Sequence, residues 1–464
     1  MANDWENKSV LVLGLGDTGL SCLRWLGARG ARLRAADTRE APPALGAVRD
    51  GFPGIDVRLG AFDEALLAGV DTIAASPGVA LREPVLRAAA ARGIEIVGDV
   101  EIFARAIGEV APGARVLGIT GTNGKSTVTA LAGAMGRAAR FRTQVAGNIG
   151  LPVLDALSRY RERAHGAAAE SDLFVIELSS YQLETTSSLA LDAAVMLNLS
   201  QDHLDRYDGL EDYAAAKKRI FANAAVRVVN RDDPWSARMG AAGALSFGIG
   251  TPLGDDEWGL DHGRAMLRRG EEDLLPTGDL AMKGLHNAAN ALAAHALMSA
   301  IGAPKPALAR ALREFKGLPH RVELVAEGGG VRFYDDSKGT NVGASVAALE
   351  GFREPVVLIA GGEGKGQDFR PLASAVKARA RAVVLIGRDA PAIESAIAAT
   401  GVPIERAPTM ESAVAAAFAR ARPGDAVLLS PACASFDMFR NYEHRGGVFA
   451  EAARRLMGTG EGKG

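Results

Sequence analysis

The sequence predicts an α/β protein built from three successive parallel-sheet units, and three observations carry that expectation. Short apolar runs alternate with Ala-rich helical stretches over most of the chain. A strand–glycine turn–helix device recurs once per unit, at Gly14, Gly121 and Gly361. The length, 464 residues, suits about three domains at roughly 150 residues each.

In the first unit an apolar run at 10–13 leads into Gly14-Leu15-Gly16-Asp17-Thr18-Gly19. A helix is expected over 20–30, followed by a strand ending at Asp37. Short strands at 72–74, ahead of Ser76-Pro77-Gly78, and at 95–97 carry this unit to Phe103. The second unit restarts the pattern with a strand over 115–119, a glycine loop and a helix over 128–139. Continuous apolar runs at 173–176 and 193–197 are short enough to be buried strands, and an Ala-rich helix is expected over 287–301. The third unit begins near His320, with strands at 331–334, 356–359, 382–386 and 426–429 joined by Ala-rich crossovers. The expected domains are therefore 1–103, 104–319 and 320–464. The tail, 458–464, is Gly-rich and expected to be disordered.

Composition narrows the function classes. Hydrophobic residues at 48% and charged residues at 23% are ordinary for globular protein. A net charge of -2 gives no global attraction to nucleic acid or anionic membrane, so any anion site must be built locally. Cys22 and Cys433 are the only cysteines, which excludes a disulfide framework and suits a reducing compartment; both read as buried hydrophobes. Residues 1–8 carry two acids and no basic leader ahead of an apolar core, unlike a signal peptide. No run approaches the ~18 apolar residues of a membrane span. A cytoplasmic location without membrane or nucleic-acid partners is expected.

The three turns differ in what they imply. Gly14, Gly16 and Gly19 fit G-x-G-x-x-G, and Asp37 falls close to the ~20-residue spacing at which an acid meets a ribose hydroxyl. Read alone, this turn suits a dinucleotide-dependent dehydrogenase, or a tight βα turn without ligand. The physics favours a phosphate-bearing ligand, because glycines admit it to backbone N–H groups at a helix N-terminus. It leaves the ligand unnamed. The second turn, Gly118-Ile119-Thr120-Gly121-Thr122-Asn123-Gly124-Lys125-Ser126-Thr127, ends in the Gly-Lys-Ser of a Walker A loop between a strand and a helix. Its N–H groups would wrap ATP phosphates, Lys125 would reach the terminal ones, and the Ser126 hydroxyl would ligate Mg²⁺. Ile119 stands where the usual leading glycine would be. The third turn, Gly361-Gly362-Glu363-Gly364-Lys365-Gly366, reads equally as a flexible loop with a solvated lysine or as part of a site.

Later segments are more specific. Glu177-Leu178-Ser179-Ser180-Tyr181-Gln182-Leu183-Glu184 and Asn198-Leu199-Ser200-Gln201-Asp202-His203-Leu204-Asp205-Arg206-Tyr207 each follow a buried strand. Tyr213 to Lys217, Leu285-His286-Asn287 to Asn290, Leu318-Pro319-His320-Arg321, Asp335 to Asn341 and Ser430 to Asp437 follow in order. Together they resemble the Mur ligase family, on the side of its D-glutamate-adding members, from the first glycine turn to about residue 450. The resemblance implies a Rossmann-like N-terminal domain holding a UDP-sugar, a central P-loop ATPase domain and a mobile, Rossmann-like C-terminal domain. It implies ATP-driven joining of D-glutamate to UDP-N-acetylmuramoyl-L-alanine through an acyl phosphate, in cytoplasmic peptidoglycan precursor synthesis, by a monomer.

It also implies roles. Gly16, Thr18, Gly19, Asp37, Thr38, Ser76 and Gly78 would hold the uridine diphosphate part, so the first turn binds substrate and not NAD. Asn148, in Gly147-Asn148-Ile149-Gly150, would orient the reacting groups. Glu177 and His203 would ligate two Mg²⁺ ions with Ser126, His203 standing beside Asp202 and Asp205. Lys217, four residues after Tyr213, would carry a carbamate as a further metal ligand. From spacing alone it reads as a surface lysine in Ala216-Lys217-Lys218-Arg219. Asn287, Asn290, Arg321 and Asp336 would surround the nucleotide. Lys338, Thr340, Ser435 and Tyr442 would surround D-glutamate, with Tyr442 standing where the family usually has Phe. Lys338 would supply the cation that a substrate with two carboxylates needs; the alternative is a surface lysine paired with Asp335 or Asp336. Glu363 and Lys365 would enter the site on domain closure.

Other classes stay open. A sibling ligase would add another amino acid, although the Asp-Asn-Pro-Arg segment of the diaminopimelate-adding relatives is absent. A folylpolyglutamate synthase-like enzyme is a second neighbour. A nucleotide-regulated binding protein would bind ATP without needing both Glu177 and Lys217. A dehydrogenase would be indifferent to Lys125.

Overall fold

The computed structural model describes residues 4–163, 172–203, 206–282 and 284–458. Asp205 and the tail from 459 onward lie outside them. Three sheets follow one another along the chain. The first is parallel, from β1 (Ser9–Leu13), β2 (Arg32–Asp37), β3 (Asp56–Leu59), β4 (Thr72–Ala75) and β5 (Glu95–Val97), in spatial order 3-2-1-4-5. That order reverses between β1 and β4, where an open α/β sheet forms its ligand crevice. β1 and β4 are buried along their whole length, as continuous apolar strands covered on both faces must be.

The central sheet contains β6 (Arg115–Thr120), β7 (Arg142–Gly147), β8 (Asp172–Glu177), β9 (Leu191–Met196), β10 (Ala224–Asn230), β11 (Leu245–Phe247), β12 (Glu257–Asp261), β13 (Met266–Arg269) and β14 (Glu272–Pro276). Its order is 14-13-12-11-10-9-6-8-7. β6 therefore lies between β8 and β9, and the loops after all three strands converge at one end. β12 to β14 form an antiparallel ribbon at the far edge. The third sheet contains β15 (Glu323–Gly328), β16 (Val331–Asp335), β17 (Val356–Gly361), β18 (Ala380–Ile386), β19 (Ile404–Arg406) and β20 (Ala426–Leu429), in order 15-16-20-17-18-19. Only β15 is antiparallel to its neighbour.

Helix boundaries correct the sequence reading. The helix expected over 20–30 runs Asp17–Gly27, because Gly16 is the extended cap residue and Gly19 lies inside the first turns. The helix expected from 128 begins at Lys125, directly after left-handed Gly124, and runs to Ala138. The helix expected over 287–301 runs Leu285–Ala300. The first shift matters for function, since it aims fresh helix N–H groups at the crevice beside β1. The second does the same beside β6.

One apolar core joins the first two sheets. Trp5, Leu23, Trp25 and Phe103 pack in the same cluster as Tyr160, Phe174, Tyr213 and Phe221. Phe103 meets Phe174 edge to face at 5.6 Å between ring centroids. Residue 103 thus sits inside the helix Asp99–Val110, within that shared core. The third sheet has two clusters of its own, drawn from residues 322 onward. Cys22 and Cys433 are both buried and unbonded.

Candidate active site

A cavity of about 570 Å³ lies between the central and third sheets. Thr122, Asn123, Gly124, Lys125 and Ser126 line it from the loop after β6, and Asn148, Glu177, Gln201, Asp202 and His203 line it from neighbouring loops. Arg321, Lys338, Thr340, Asn341, Gly364, Lys365, Gln367 and Tyr442 face them from the third unit. The loop is shaped by Gly124, which is left-handed at φ +84°. A Cβ there would stand 2.6 Å from Asn290 Oδ1, so Asn290 closes directly over the loop. Asn290 donates to Asn287 at 3.3 Å. Neither Asn lines the cavity.

Two lysines converge on one carbonyl. Lys125 Nζ donates to the Gly121 and Thr122 oxygens at 2.9 and 2.8 Å. Lys217 Nζ donates to the same Gly121 oxygen at 2.8 Å. Lys217 is 2% exposed, whereas Lys218 is exposed, so the surface alternative applies to Lys218 and not to Lys217. Burial pushes the Lys217 amine well below the ordinary lysine range, and the neighbouring Lys125 charge pushes it further; Asp202 and Glu177 oppose this. Burial lowers Lys125 as well, with Glu177 and Asp202 again opposing.

Glu177 ends β8 at 2% exposure. Asn148 Nδ2 donates to its Oε1 at 3.0 Å, while its Oε2 is buried with no hydrogen-bond partner among the described residues. A buried carboxylate oxygen left open costs several kcal/mol unless something fills it. Beside the Ser126 hydroxyl and Asp202, this donor set suits a hard divalent cation. His203 has a left-handed backbone at φ +57°. Its Nδ1 is 2.6 Å from the Tyr181 hydroxyl, and its Nε2 is 3.8 Å from Asp202. The Ser126 hydroxyl accepts from Arg321 Nη2 at 2.9 Å, so the third unit already reaches the loop.

On the third-unit wall, Lys338 Nζ stands 3.6 Å from the Tyr442 ring centroid. Burial, reinforced by the Arg321 charge, brings its amine down to about 8. Lys338 is therefore no solvated surface lysine. Lys365 also faces the cavity, whereas Glu363 pairs with Arg388 at 3.0 Å. Asp336 and Ser435 are buried but do not line the cavity. Asp336 accepts from Ser430 Oγ at 2.7 Å, and burial raises it to about 7.

A second cavity, about 490 Å³, opens at the β1/β4 crevice. Gly16, Thr18, Asp37, Thr38, Ser76 and Gly78 line it, together with Arg39, Asn148 and Gln182. Gly19 lies behind the lining, where it lets the helix touch the turn: a Cβ would fall 1.9 Å from the Gly14 oxygen. Asp37 accepts from Leu15 N–H at 2.6 Å and from both Arg39 Nε and Nη2. The Arg39 hydrogen bonds hold its carboxyl down to about 2, and the Leu15 N–H contributes. Asn148 is common to both cavities. The sequence reading missed Arg39, Gln182, Gln201, Asn341 and Gln367; Gln182, Gln201 and Asn341 stood within quoted motifs, and Arg39 and Gln367 had no signal beyond their neighbours.

Three α/β sheets in this arrangement, with a phosphate loop on the middle one, form the fold of solved peptide-ligase structures. A pseudomurein peptide ligase type C from Methanothermus fervidus superposes with a TM-score of 0.60 at 19% identity, over 97% of this chain and 100% of that one. The UDP-N-acetylmuramate–alanine ligase MurC of Thermotoga maritima does so with 0.60 at 18%, over 97% and 99%. The chain belongs to the Mur ligase family. Its models match in succession: the MurD-like N-terminal domain over 8–98, the middle domain over 119–298 and the glutamate ligase domain over 320–433. The UDP-N-acetylmuramoylalanine–D-glutamate ligase of Methylobacillus flagellatus is 55% identical over 97% of this chain and 98% of that one. The ligase of the same name in Thiobacillus denitrificans is 55% identical over 97% of each. No helix among the described residues is long and apolar enough to cross a membrane.

Proposed function

We propose that this chain joins D-glutamate to UDP-N-acetylmuramoyl-L-alanine at the expense of ATP, as a cytoplasmic monomer serving peptidoglycan precursor synthesis. The observation that carries the reading is the junction of the two cavities at Asn148, which donates to Glu177. A substrate anchored by its uridine diphosphate in the second cavity can there present its free carboxylate to a nucleotide on the 121–127 loop. The names of the curated relatives support the choice of substrates.

In this reading the alanyl carboxylate attacks the γ-phosphorus, its bond to oxygen forms as the bond to ADP breaks, and an acyl phosphate results. The amine of D-glutamate then attacks the acyl carbon, loses a proton and expels phosphate. Two anions must meet, so charge neutralisation and alignment dominate. Lys125 turns from the Gly121 and Thr122 carbonyls toward the phosphates. Arg321 supplies a second cation from the opposite wall. Asn148 aligns the attacking carboxylate against Glu177. Lys338 and Lys365 provide charges for the two carboxylates of the amino acid, with Thr340 beside them, while Ser435 supports that wall from behind. Tyr442 holds Lys338 with its ring. Asn287, Asn290 and Asp336 act on the nucleotide side as supports.

Members of this family use ATP and Mg²⁺. We assign two such ions here to Ser126, Glu177 and His203, which would hold them where their positive charge would neutralise the transferred phosphoryl group. Glu177 Oε2, buried and without a hydrogen-bond partner among the described residues, supports that assignment. Lys217, lowered by burial and by Lys125, is suited to add CO₂ at its neutral amine; an N–C bond forms, a proton leaves, and an anionic oxygen ligand results. We further propose three working domains, 1–103, 104–319 and 320–464. Phosphate release from ATP, measured with UDP-N-acetylmuramoyl-L-alanine and a panel of D- and L-amino acids, tests the reading. Release confined to D-glutamate is expected. Release with another amino acid moves the assignment to a sibling ligase, and none with any rejects both.

A further inference from the structure

A pair of carboxamides ties the phosphate loop to the third unit. Asn123 has its backbone fixed within the central unit: its N–H donates to Asn198 Oδ1 at 2.8 Å and its carbonyl accepts from Asn198 Nδ2 at 3.1 Å. Its side chain reaches outward from the loop, with Nδ2 also 3.5 Å from Ser200 Oγ of the central unit. Asn341 Nδ2 donates to Asn123 Oδ1 at 3.1 Å, and Asn123 Nδ2 donates back to Asn341 Oδ1 at 3.4 Å. Asn341 Nδ2 also lies 3.5 Å from Asp202 Oδ2. Asn341 is 6% exposed, lines the larger cavity with Asn123, and directly follows Lys338-Gly339-Thr340.

We propose that Asn341 is a positioning residue which couples nucleotide on the phosphate loop to the amino-acid-binding segment 338–340. This rests on the reading of Lys338 and Thr340 as amino-acid contacts. Phosphates bound to the loop restrain Asn123; the paired amides restrain Asn341; the three residues before Asn341 then present Lys338 and Thr340 in one arrangement. Amino acid binds best to a segment already ordered this way, and by linkage it strengthens nucleotide binding by the same factor.

A plainer role exists, because Asn341 Oδ1 accepts the Ala344 N–H at 2.9 Å and caps the helix Val342–Glu350. The two roles order variants differently. As helix caps, Asn, Asp and Ser are near equals. As a clasp, Ser is too short to reach Asn123, and Asp cannot donate to Asn123 Oδ1 and sets a second carboxylate against Asp202.

The test uses the full chain and measures KM for D-glutamate and for the UDP-sugar, and D-glutamate affinity by calorimetry with and without a non-hydrolysable ATP analogue. Asn341→Ser is expected to raise the D-glutamate KM roughly five- to tenfold, and Asn341→Asp more, with the UDP-sugar KM unchanged. The gain in D-glutamate affinity on adding nucleotide should shrink in both. Asn123→Ala combined with Asn341→Ser should be no worse than the worse single variant. Fully additive effects, or Asn341→Asp behaving as wild type, would overturn the proposal. If wild type turns over with a different amino acid only, the substrate reading fails, and the same cycle run with that amino acid decides the clasp.

Discussion

Lys217 and Lys218 are neighbours in sequence and opposites in environment, and the difference sets an expectation for each. Lys217 is sealed beneath the phosphate loop against the Gly121 carbonyl, and Lys218 faces water. Lys217→Ala is expected to lower phosphate release at least about a hundredfold, as loss of a metal-site group does. Bicarbonate or short carboxylates that can occupy the emptied space should restore it. Lys218→Ala should stay within about 0.5 kcal/mol of wild type in stability and keep its rate. Full activity of Lys217→Ala, or failure of every carboxylate to rescue it, would remove the carbamate from the mechanism. In the letters Ala216-Lys217-Lys218-Arg219 nothing separates the two lysines; the family resemblance did, and burial supplies the physical reason. The reverse holds for Asp336 and Ser435, which the resemblance sets beside ligands and the fold buries behind the wall. Lys338 carries a pH expectation. With its amine at about 8, it is charged below that pH and neutral above it. The D-glutamate KM should therefore rise as pH passes 8, approaching about tenfold per unit. Lys338→Arg keeps its charge throughout and should flatten this limb even if its KM is higher everywhere. An unchanged inflection in that variant would assign it to another group.

At the scale of elements, the strand–turn–helix devices were legible because glycine punctuates them, and their limits were not. Gly19 reads as the end of a turn in sequence, yet it belongs to the helix Asp17–Gly27 and touches the turn it follows. Two effects oppose each other in Gly19→Ala. Helix propensity favours Ala by about 1 kcal/mol. A Cβ placed 1.9 Å from the Gly14 carbonyl oxygen forces the backbone apart, at about 1–3 kcal/mol. The clash should win, lowering stability modestly and raising the UDP-sugar KM about tenfold, because the turn and the helix N-terminus together form that cavity. Nucleotide affinity should hold. An unchanged UDP-sugar KM would separate this turn from that substrate. The ribbon β12 to β14 had no comparable signal. Its members are short, and Arg268 and Arg269 end β13 where an alternating pattern would be sought. Tertiary packing of Trp258, Leu260, Leu267 and Leu275 into the central core sets it instead.

For the whole molecule, the distribution of apolar cores decides what unfolds with what. The first and central sheets share one cluster through the helix Asp99–Val110, so neither can lose its structure without exposing part of the other's core. Among the described residues the third sheet shares no apolar cluster with them. Among the described residues its hydrogen bonds to the central unit are few: Arg321 to Ser126, and Asn341 to Asn123 and Asp202. Polar contacts of this kind contribute about 0.5–1.5 kcal/mol each, which is small against an unfolding enthalpy on the order of 100 kcal/mol for a unit of this size. They can set an angle between units without fusing two transitions into one. Calorimetry of the ligand-free protein should therefore resolve two transitions, the larger from the first two units together. The chain supplies its own probe, since Trp5, Trp25, Trp235 and Trp258 are its only tryptophans and all precede residue 320. Tryptophan fluorescence should follow the larger transition alone, while far-UV circular dichroism records both. A nucleotide analogue bound between the central and third units should draw the transitions together, because each unit then loses a ligand on unfolding. A single transition, coincident by both probes without ligand, would mean that the polar seam couples the third unit far more strongly than its contacts allow.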